Sequence, residues 1–325
     1  MSRTGRAVVA LVAAVLVLTA CSEGGRVKDP DTGDGTAGDN SGYTIAMITH
    51  ETPGDSFWDR VRAGAEQAAK NTGVDLKYSN DPDAGKQAVL IQNAVDSRVD
   101  GIATTLVTPD ALAGSVKTAT QAGIPVVGLN AGIDDYRRLG VSMYFGSDET
   151  RAGTAAGERI AAEGAKHPLC VIHQAGSVSL EARCEGVRSA VPDTENLQVN
   201  GADDAAVVST LQAKLQQDPS IDYIVSLGAP IALDAGKAKE SGDSQAKIIT
   251  FDLNQETAQG VKDGTIEFSI DQQPYMQGFM AVTSLYLNLK NGNDLGGGEA
   301  VLTGPSFVDG DNIGQILPFV QNGTR

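Results

Sequence analysis

The chain has 325 residues, 41 acidic and 25 basic, and a formal net charge of −16 at pH 7. That balance excludes nucleic acid as a partner, because phosphate recognition needs clustered Lys and Arg. It suits a soluble exported body and says little about a neutral ligand.

In chain order, Arg3 and Arg6 precede an unbroken apolar run over residues 7–18, which exits through Thr19, Ala20 and Cys21. A basic start, a short apolar stretch and small residues at the exit make a secretory signal. Its twelve apolar residues fall short of the roughly 20 that a spanning helix needs. Leu18, Thr19, Ala20 and Cys21 resemble a bacterial lipobox, which implies a signal peptide over 1–20 and lipidation (palmitate) at Cys21. Residues 21–42 hold Gly, Asp, Ser, Thr and Pro with almost no large apolar side chain. Such a segment cannot offset its ordering entropy and reads as a flexible tether. The expected location is the extracytoplasmic face of the cell membrane, held there by the lipid.

The roughly 280 residues beyond the tether exceed one ordinary core and suggest two lobes. From Tyr43 onward, short apolar strands alternate with amphipathic helices. Strands are expected over 43–48, 74–78, 101–105, 125–129 and 141–146, with helices over 57–71, 85–97 and 109–121. The rhythm then repeats, with helices over 150–162, 180–191, 205–216 and 275–290, and strands over 169–173, 196–199, 221–227, 247–251 and 266–270. Near-continuous apolar strands separated by helices argue parallel sheets covered on both faces. The fold class is α/β, with two doubly wound, Rossmann-like lobes. Ligands of such sheets bind beyond the carboxyl ends of the strands, so the loops after Ile48, Thr105, Leu129, His173, Leu227 and Phe251 are the places to search.

Catalytic motifs are absent: the sequence has no phosphate loop, no zinc-protease helix, no Cys-x-x-Cys and no nucleophile elbow. Gly296, Gly297 and Gly298 fall in a polar turn rather than between strand and helix. His167 precedes Pro168 in a turn, while His50 and His173 end predicted strands and face the cleft without a spaced metal-ligand partner. The chain is expected to be no enzyme, with no cofactor and no metal. With Cys21 taken by the lipobox, Cys170 and Cys184 either pair in an oxidising compartment or stay as two buried thiols, and sequence leaves both open.

The predicted strand ends offer an inventory suited to a polyhydroxylated ligand. Phe57 and Trp58 can pack against the C–H faces of a ring. Asn130, Arg183, Asp252, Asp271 and Gln272 can donate to and accept from vicinal hydroxyls. The run from Asp55 through Trp58 to Gly64, together with Arg183, Cys184, Glu185 and Gly186, resembles the type I periplasmic sugar-binding proteins of the ribose and galactose group. So do Thr250, Phe251 and Asp252, and the run Asp271, Gln272, Gln273, Pro274 and Tyr275. The resemblance spans Tyr43 to the end of the chain. It implies lobes over 43–146 plus 273–303 and over 147–272 plus 304–325, joined by a three-segment hinge.

Ligand contacts implied by the resemblance are Asp55, Phe57, Trp58, Asn130, Arg183, Asp252 and Gln272, with His50, Glu51, Thr105 and Asp271 as further candidates. Departures at Asn130–Ala131, at Gly228 and in the lengthened first loop put ribose itself in doubt. The implied function is a monomeric binding lipoprotein that delivers a neutral pentose, hexose or C4–C6 polyol to an ABC permease and its ATPase. The alternative is a sugar-sensing component of a membrane signalling protein. A transcription regulator would need a DNA-binding head where residues 3–21 stand, and a glycosidase would need paired carboxylates across a cleft, for which only Asp252 and Asp271 offer themselves.

Overall fold

The computed structural model describes residues 41–52 and 54–325. The signal, Cys21 and nearly all of the tether lie outside the described residues. The first half runs β1 (Thr44–Thr49), α1 (Ser56–Thr72), β2 (Asp75–Asn80), α2 (Ala84–Asp96), β3 (Gly101–Thr105), α3 (Pro109–Gln121), β4 (Val126–Asn130) and β5 (Met143–Ser147). The second runs α4 (Glu149–Ala162), β6 (Pro168–Ile172), α5 (Val178–Ala190), β7 (Glu195–Gln198), α6 (Asp204–Gln217), β8 (Tyr223–Ser226), α7 (Ala229–Ser241), β9 (Lys247–Phe251), α8 (Gln255–Asp263) and β10 (Phe268–Asp271). The chain closes with α9 (Pro274–Asn291), β11 (Val301–Gly304), β12 (Ser306–Asp309) and α10 (Ile313–Gln321). No helix among the described residues is long and apolar enough to cross a membrane.

The strands form two six-stranded sheets, ordered β11-β5-β4-β3-β1-β2 and β12-β10-β9-β8-β6-β7. All pairs are parallel except β10 with β12. This is the pair of doubly wound lobes that the resemblance implies. Each sheet is buried on both faces because its strand residues alternate. Ile45 and Met47 of β1 enter the core under α1 and α9, while Ala46 and Ile48 enter the core under α2 and α3. The second sheet repeats the arrangement, with α4 and α5 over one core and α6, α7, α8 and α10 over the other.

The chain passes between the sheets at three places, each at a strand's carboxyl end: after β5 at Asp148, after β10 at Gln272 and Gln273, and between β11 and β12 at Pro305. Leaving one sheet by its carboxyl edge and entering the next by the same edge makes β12 run against β10. The sequence reading missed β11, β12 and α10. Two are four-residue strands, and α10 carries an internal proline at Pro318. The strand expected over 221–227 is trimmed to Tyr223–Ser226.

Glycines set the spacing of the helix pairs. A Cβ at Gly278 of α9 would lie 1.9 Å from the Val61 carbonyl oxygen of α1, and one at Gly64 would lie 2.0 Å from the Tyr275 oxygen. The second lobe uses the same device, since a Cβ at Gly153 of α4 would meet the Arg183 carbonyl oxygen of α5 at 2.1 Å. Cys170 of β6 and Cys184 of α5 are joined by a disulfide with their Cα atoms 5.8 Å apart, which ties α5 to its sheet. Arg183 is thereby fixed from two sides.

Candidate functional site

A cavity of about 70 Å³ lies where the strand ends of the two sheets meet. His50 follows β1, Asn130 ends β4, His173 follows β6, Leu227 and Gly228 follow β8, Asp252 follows β9 and Gln272 follows β10, and all of them line it. Asp55, Phe57 and Trp58 line it from the start of α1, and Ser179, Leu180 and Arg183 from α5. Thr52, Asp55, His173, Gly201 and Gly228 also border a second space of about 620 Å³.

Asn130 and Asp252 occupy equivalent places in the two sheets, and both adopt the left-handed region, with φ of 65° and 66°. Asn and Asp tolerate that conformation better than other side chains with a Cβ. Backbone strain at the same point of both lobes marks a place where side-chain direction matters. Asp252 accepts from Gln272 Nε2 at 2.8 Å, and Gln272 Oε1 accepts from Asn130 Nδ2 at 3.4 Å. A polar chain thus links the two lobes across the floor of the cavity. Burial pushes the Asp252 carboxyl up to about 8, against the lowering pull of Arg183 and of the Gln272 hydrogen bond. Burial also raises Asp55, whose Oδ1 caps α1 by accepting from the Phe57 amide at 3.0 Å.

Arg183 is 3% exposed, and its charge is already matched. Nε donates to Glu149 Oε2 at 2.6 Å, Nη2 to Glu149 Oε1 at 3.1 Å and Nη1 to the Leu227 carbonyl at 3.0 Å. Its guanidinium also stands 4.5 Å from the centroid of the Phe251 ring. Burial works against the cation, but Glu149 outweighs it and holds Arg183 above its ordinary range. Two of the five guanidinium protons stay uncommitted. The group can therefore donate to a hydroxyl without adding net charge to the cavity.

His50 is held by Thr105. Thr105 Oγ1 accepts from the His50 amide at 3.2 Å and from Gln87 Nε2 at 3.1 Å, so its own proton goes to His50 Nδ1 at 2.8 Å. That network assigns the Nε2–H tautomer to His50. The imidazole meets Trp58 edge-on at 4.8 Å, and Trp58 meets Phe57 the same way at 5.0 Å. Burial, followed by the charges of His173 and Arg183, holds His50 down at about 3, and burial with Arg183 holds His173 at about 4. Both rings are neutral at physiological pH.

The residues implied by the resemblance therefore divide. Asp55, Phe57, Trp58, Asn130, Arg183, Asp252, Gln272 and His50 converge on the cavity. Three further candidates stand away from its wall. Glu51 is spent on Arg62, Tyr78 and Asn80. Thr105 stands behind His50. Asp271 is buried on the opposite side of β10 from Gln272, as strand alternation requires, and takes Arg325 Nε at 2.6 Å. Sequence reasoning did not anticipate Thr52, Gln174, Ser179 or Gly201 in the wall, nor Glu149 as the counter-ion. Only the loop after His173 had pointed to that side.

Among the described residues, the one cluster of three metal-ligating side chains is His167, Glu195 and Asp218. It lies at the other end of the second sheet, where Lys214 Nζ already stands 2.6 Å from Glu195 and 3.8 Å from Asp218. That ammonium supplies the charge a cation would bring.

Residues 45–294 match the family of the periplasmic binding protein domain. The fold superposes with a TM-score of 0.86 and 53% identity on a carbohydrate transporter protein of Acidothermus cellulolyticus 11B in complex with myo-inositol, over 87% of this chain and 99% of that one. The xylose/arabinose-binding protein of Sulfolobus acidocaldarius is 25% identical over 302 residues, covering 85% of this chain and 73% of that protein. The ribose import binding protein of Escherichia coli K12 is 27% identical over 244 residues, covering 71% of this chain and 79% of that protein. These relatives are solute-binding proteins, not enzymes.

Proposed function

The chain belongs to the periplasmic binding protein family, and on that footing we propose that it is the lipid-anchored solute-binding component of an ABC importer, with a neutral cyclic polyol of the inositol class as its ligand. The observation that carries this reading is the charge-balanced cavity lined from both lobes. Its arginine is cancelled by Glu149, burial pushes its two carboxyls, Asp252 and Asp55, toward the neutral form, and the remaining polar groups are amides, hydroxyls and neutral imidazoles. An anionic sugar would find no free cation there, whereas a ring of hydroxyls could both donate and accept around its edge. Phe57 and Trp58 supply the apolar surface for its C–H faces. The myo-inositol held by the 53% identical relative supports a cyclitol over an open-chain alditol.

Capture follows from the three crossings. We take the lobes as 43–146 plus 273–303 and 147–272 plus 304–325. A ligand touching both lobes stabilises the closed arrangement by its differential affinity for closed over open. The lipobox-like Cys21 would keep the clamp beside a permease. A thermal-shift panel of myo-inositol, other cyclitols, pentoses, hexoses, alditols and amino acids tests the reading. Ligand at about 100 times its Kd should add about 2.7 kcal/mol. A shift from an amino acid with none from any polyol would discard the proposal.

A further inference from the structure

His173 packs against two glycines. A Cβ at Gly201 would meet the His173 carbonyl oxygen at 2.9 Å, its Cβ at 3.0 Å and its ring Cδ2 at 3.2 Å, and one at Gly228 would lie 3.3 Å from the ring Cε1. Gly228 has φ −169°, an extended backbone that any residue adopts, so its conformation does not call for glycine; the room it leaves for the ring does. His173 Nδ1 is buried without a hydrogen-bond partner, and no described residue bonds Nε2. Such a polar group costs free energy unless something pairs with it. Ser179 Oγ on the same wall is also buried and unpartnered. Opposite, His50 follows the first strand of the other sheet as His173 follows the first strand of its own, and its Nδ1 is spent on Thr105.

We propose that His173 is a specificity-determining ligand contact, admitted to the cavity by Gly201 and Gly228, that works with His50 to hold ring hydroxyls from both lobes while its ring fills the space an exocyclic hydroxymethyl group would need. The inference rests on the cyclic-polyol reading and deepens it. Rings without an exocyclic carbon, such as cyclitols, are favoured over hexopyranoses. Each imidazole supplies a neutral, oriented contact that a hydroxyl can answer as donor or acceptor. A residue that merely stiffened the loop would affect all ligands alike, so selectivity separates the two roles.

The test is calorimetric titration of the full-length chain, of His173→Ala, His173→Asn and Gly228→Thr, and of the double variant His173→Ala with Gly228→Thr, with myo-inositol and with D-glucose. Threonine keeps an acceptable N-cap for α7, and the apo melting temperature of each variant checks folding. Removing the imidazole should weaken myo-inositol about ten- to hundredfold and bring its preference over D-glucose down by tenfold or more. Gly228→Thr should weaken myo-inositol similarly in the wild-type background and add little once His173 is Ala, because the two positions share one volume. If the wild type binds myo-inositol and His173→Ala keeps both its affinity and its selectivity within about twofold, this inference falls and the cyclic-polyol reading stands. If the wild type binds neither ring, both fall.

Discussion

Glu149→Gln removes the counter-charge of Arg183 while conserving size. Both side chains are only 4% exposed, so solvent screening cannot absorb the change. The variant keeps one amide oxygen that can accept from the guanidinium but turns an NH2 donor toward the other of the two N–H groups that Glu149 now takes, so the buried cation loses its counter-charge and one of its acceptors. Breaking a buried pair from one side costs about 3–5 kcal/mol, whereas replacing both members by apolar residues is often neutral. At roughly 2–4 °C per kcal/mol for a domain of this size, Glu149→Gln should melt on the order of 10 °C lower. Arg183→Met with Glu149→Met should melt near the wild type and yet fail to bind myo-inositol, since the donating guanidinium is gone. Urea unfolding of the apo proteins and calorimetric titration read the two effects separately. A cost below about 1 kcal/mol for Glu149→Gln would refute the claim that this pair neutralises the cavity.

Gly278→Ala should cost about 1–3 kcal/mol or more by forcing α9 off α1. Gly114→Ala in α3, where nothing lies within 4 Å, should stabilise by roughly 0.5–1 kcal/mol; equal effects at the two sites in urea melts would contradict the packing described. Cys170→Ser with Cys184→Ser opens a bridge of sequence separation 14 and should cost about 3 kcal/mol, read as a lower midpoint under non-reducing conditions. The pH dependence follows from His173, held at about 4 against about 6.5 when unfolded. Between those values the unfolded chain takes a proton that the folded one refuses, so stability rises with pH by up to about 1.4 kcal/mol per unit. It is complete above about 6.5 and lost as pH falls toward 4. Asp252, raised to about 8, acts with the opposite sign, losing stability as pH rises from about 4 to 8. The stability difference between wild type and His173→Asn should therefore grow from pH 4 to 6.5 and level off above; a difference flat across that range would remove His173 as a buried neutral group.

Much of the fold was legible because local signals coincide with tertiary ones. Gly101–Thr105 and Pro109–Gln121 have the bounds their apolar run and their Thr108–Pro109 start suggest. Gly64 and Gly186, readable only as parts of a resemblance, gain their reason from carbonyls of facing helices. What escaped was short or non-local. β11 and β12 carry four residues each and are defined by partners in different sheets. In the site, Asn130 and Asp252 were visible because each ends or follows a buried apolar strand. Glu149 was not, because its partner lies 34 residues away and no local pattern announces the pair. Asp271 and Gln272 were taken together although strand parity sends them to opposite sides, a distinction the sequence could have supplied.

Capture of one neutral ring between the two lobes is tested most directly by titrating the protein with myo-inositol while following its radius of gyration by small-angle scattering. Saturable binding of one ligand per chain, with a smaller radius in the bound state and loss of both responses in Asp252→Ala, is the predicted result. Binding that leaves the radius unchanged and survives Asp252→Ala would contradict a site between the lobes.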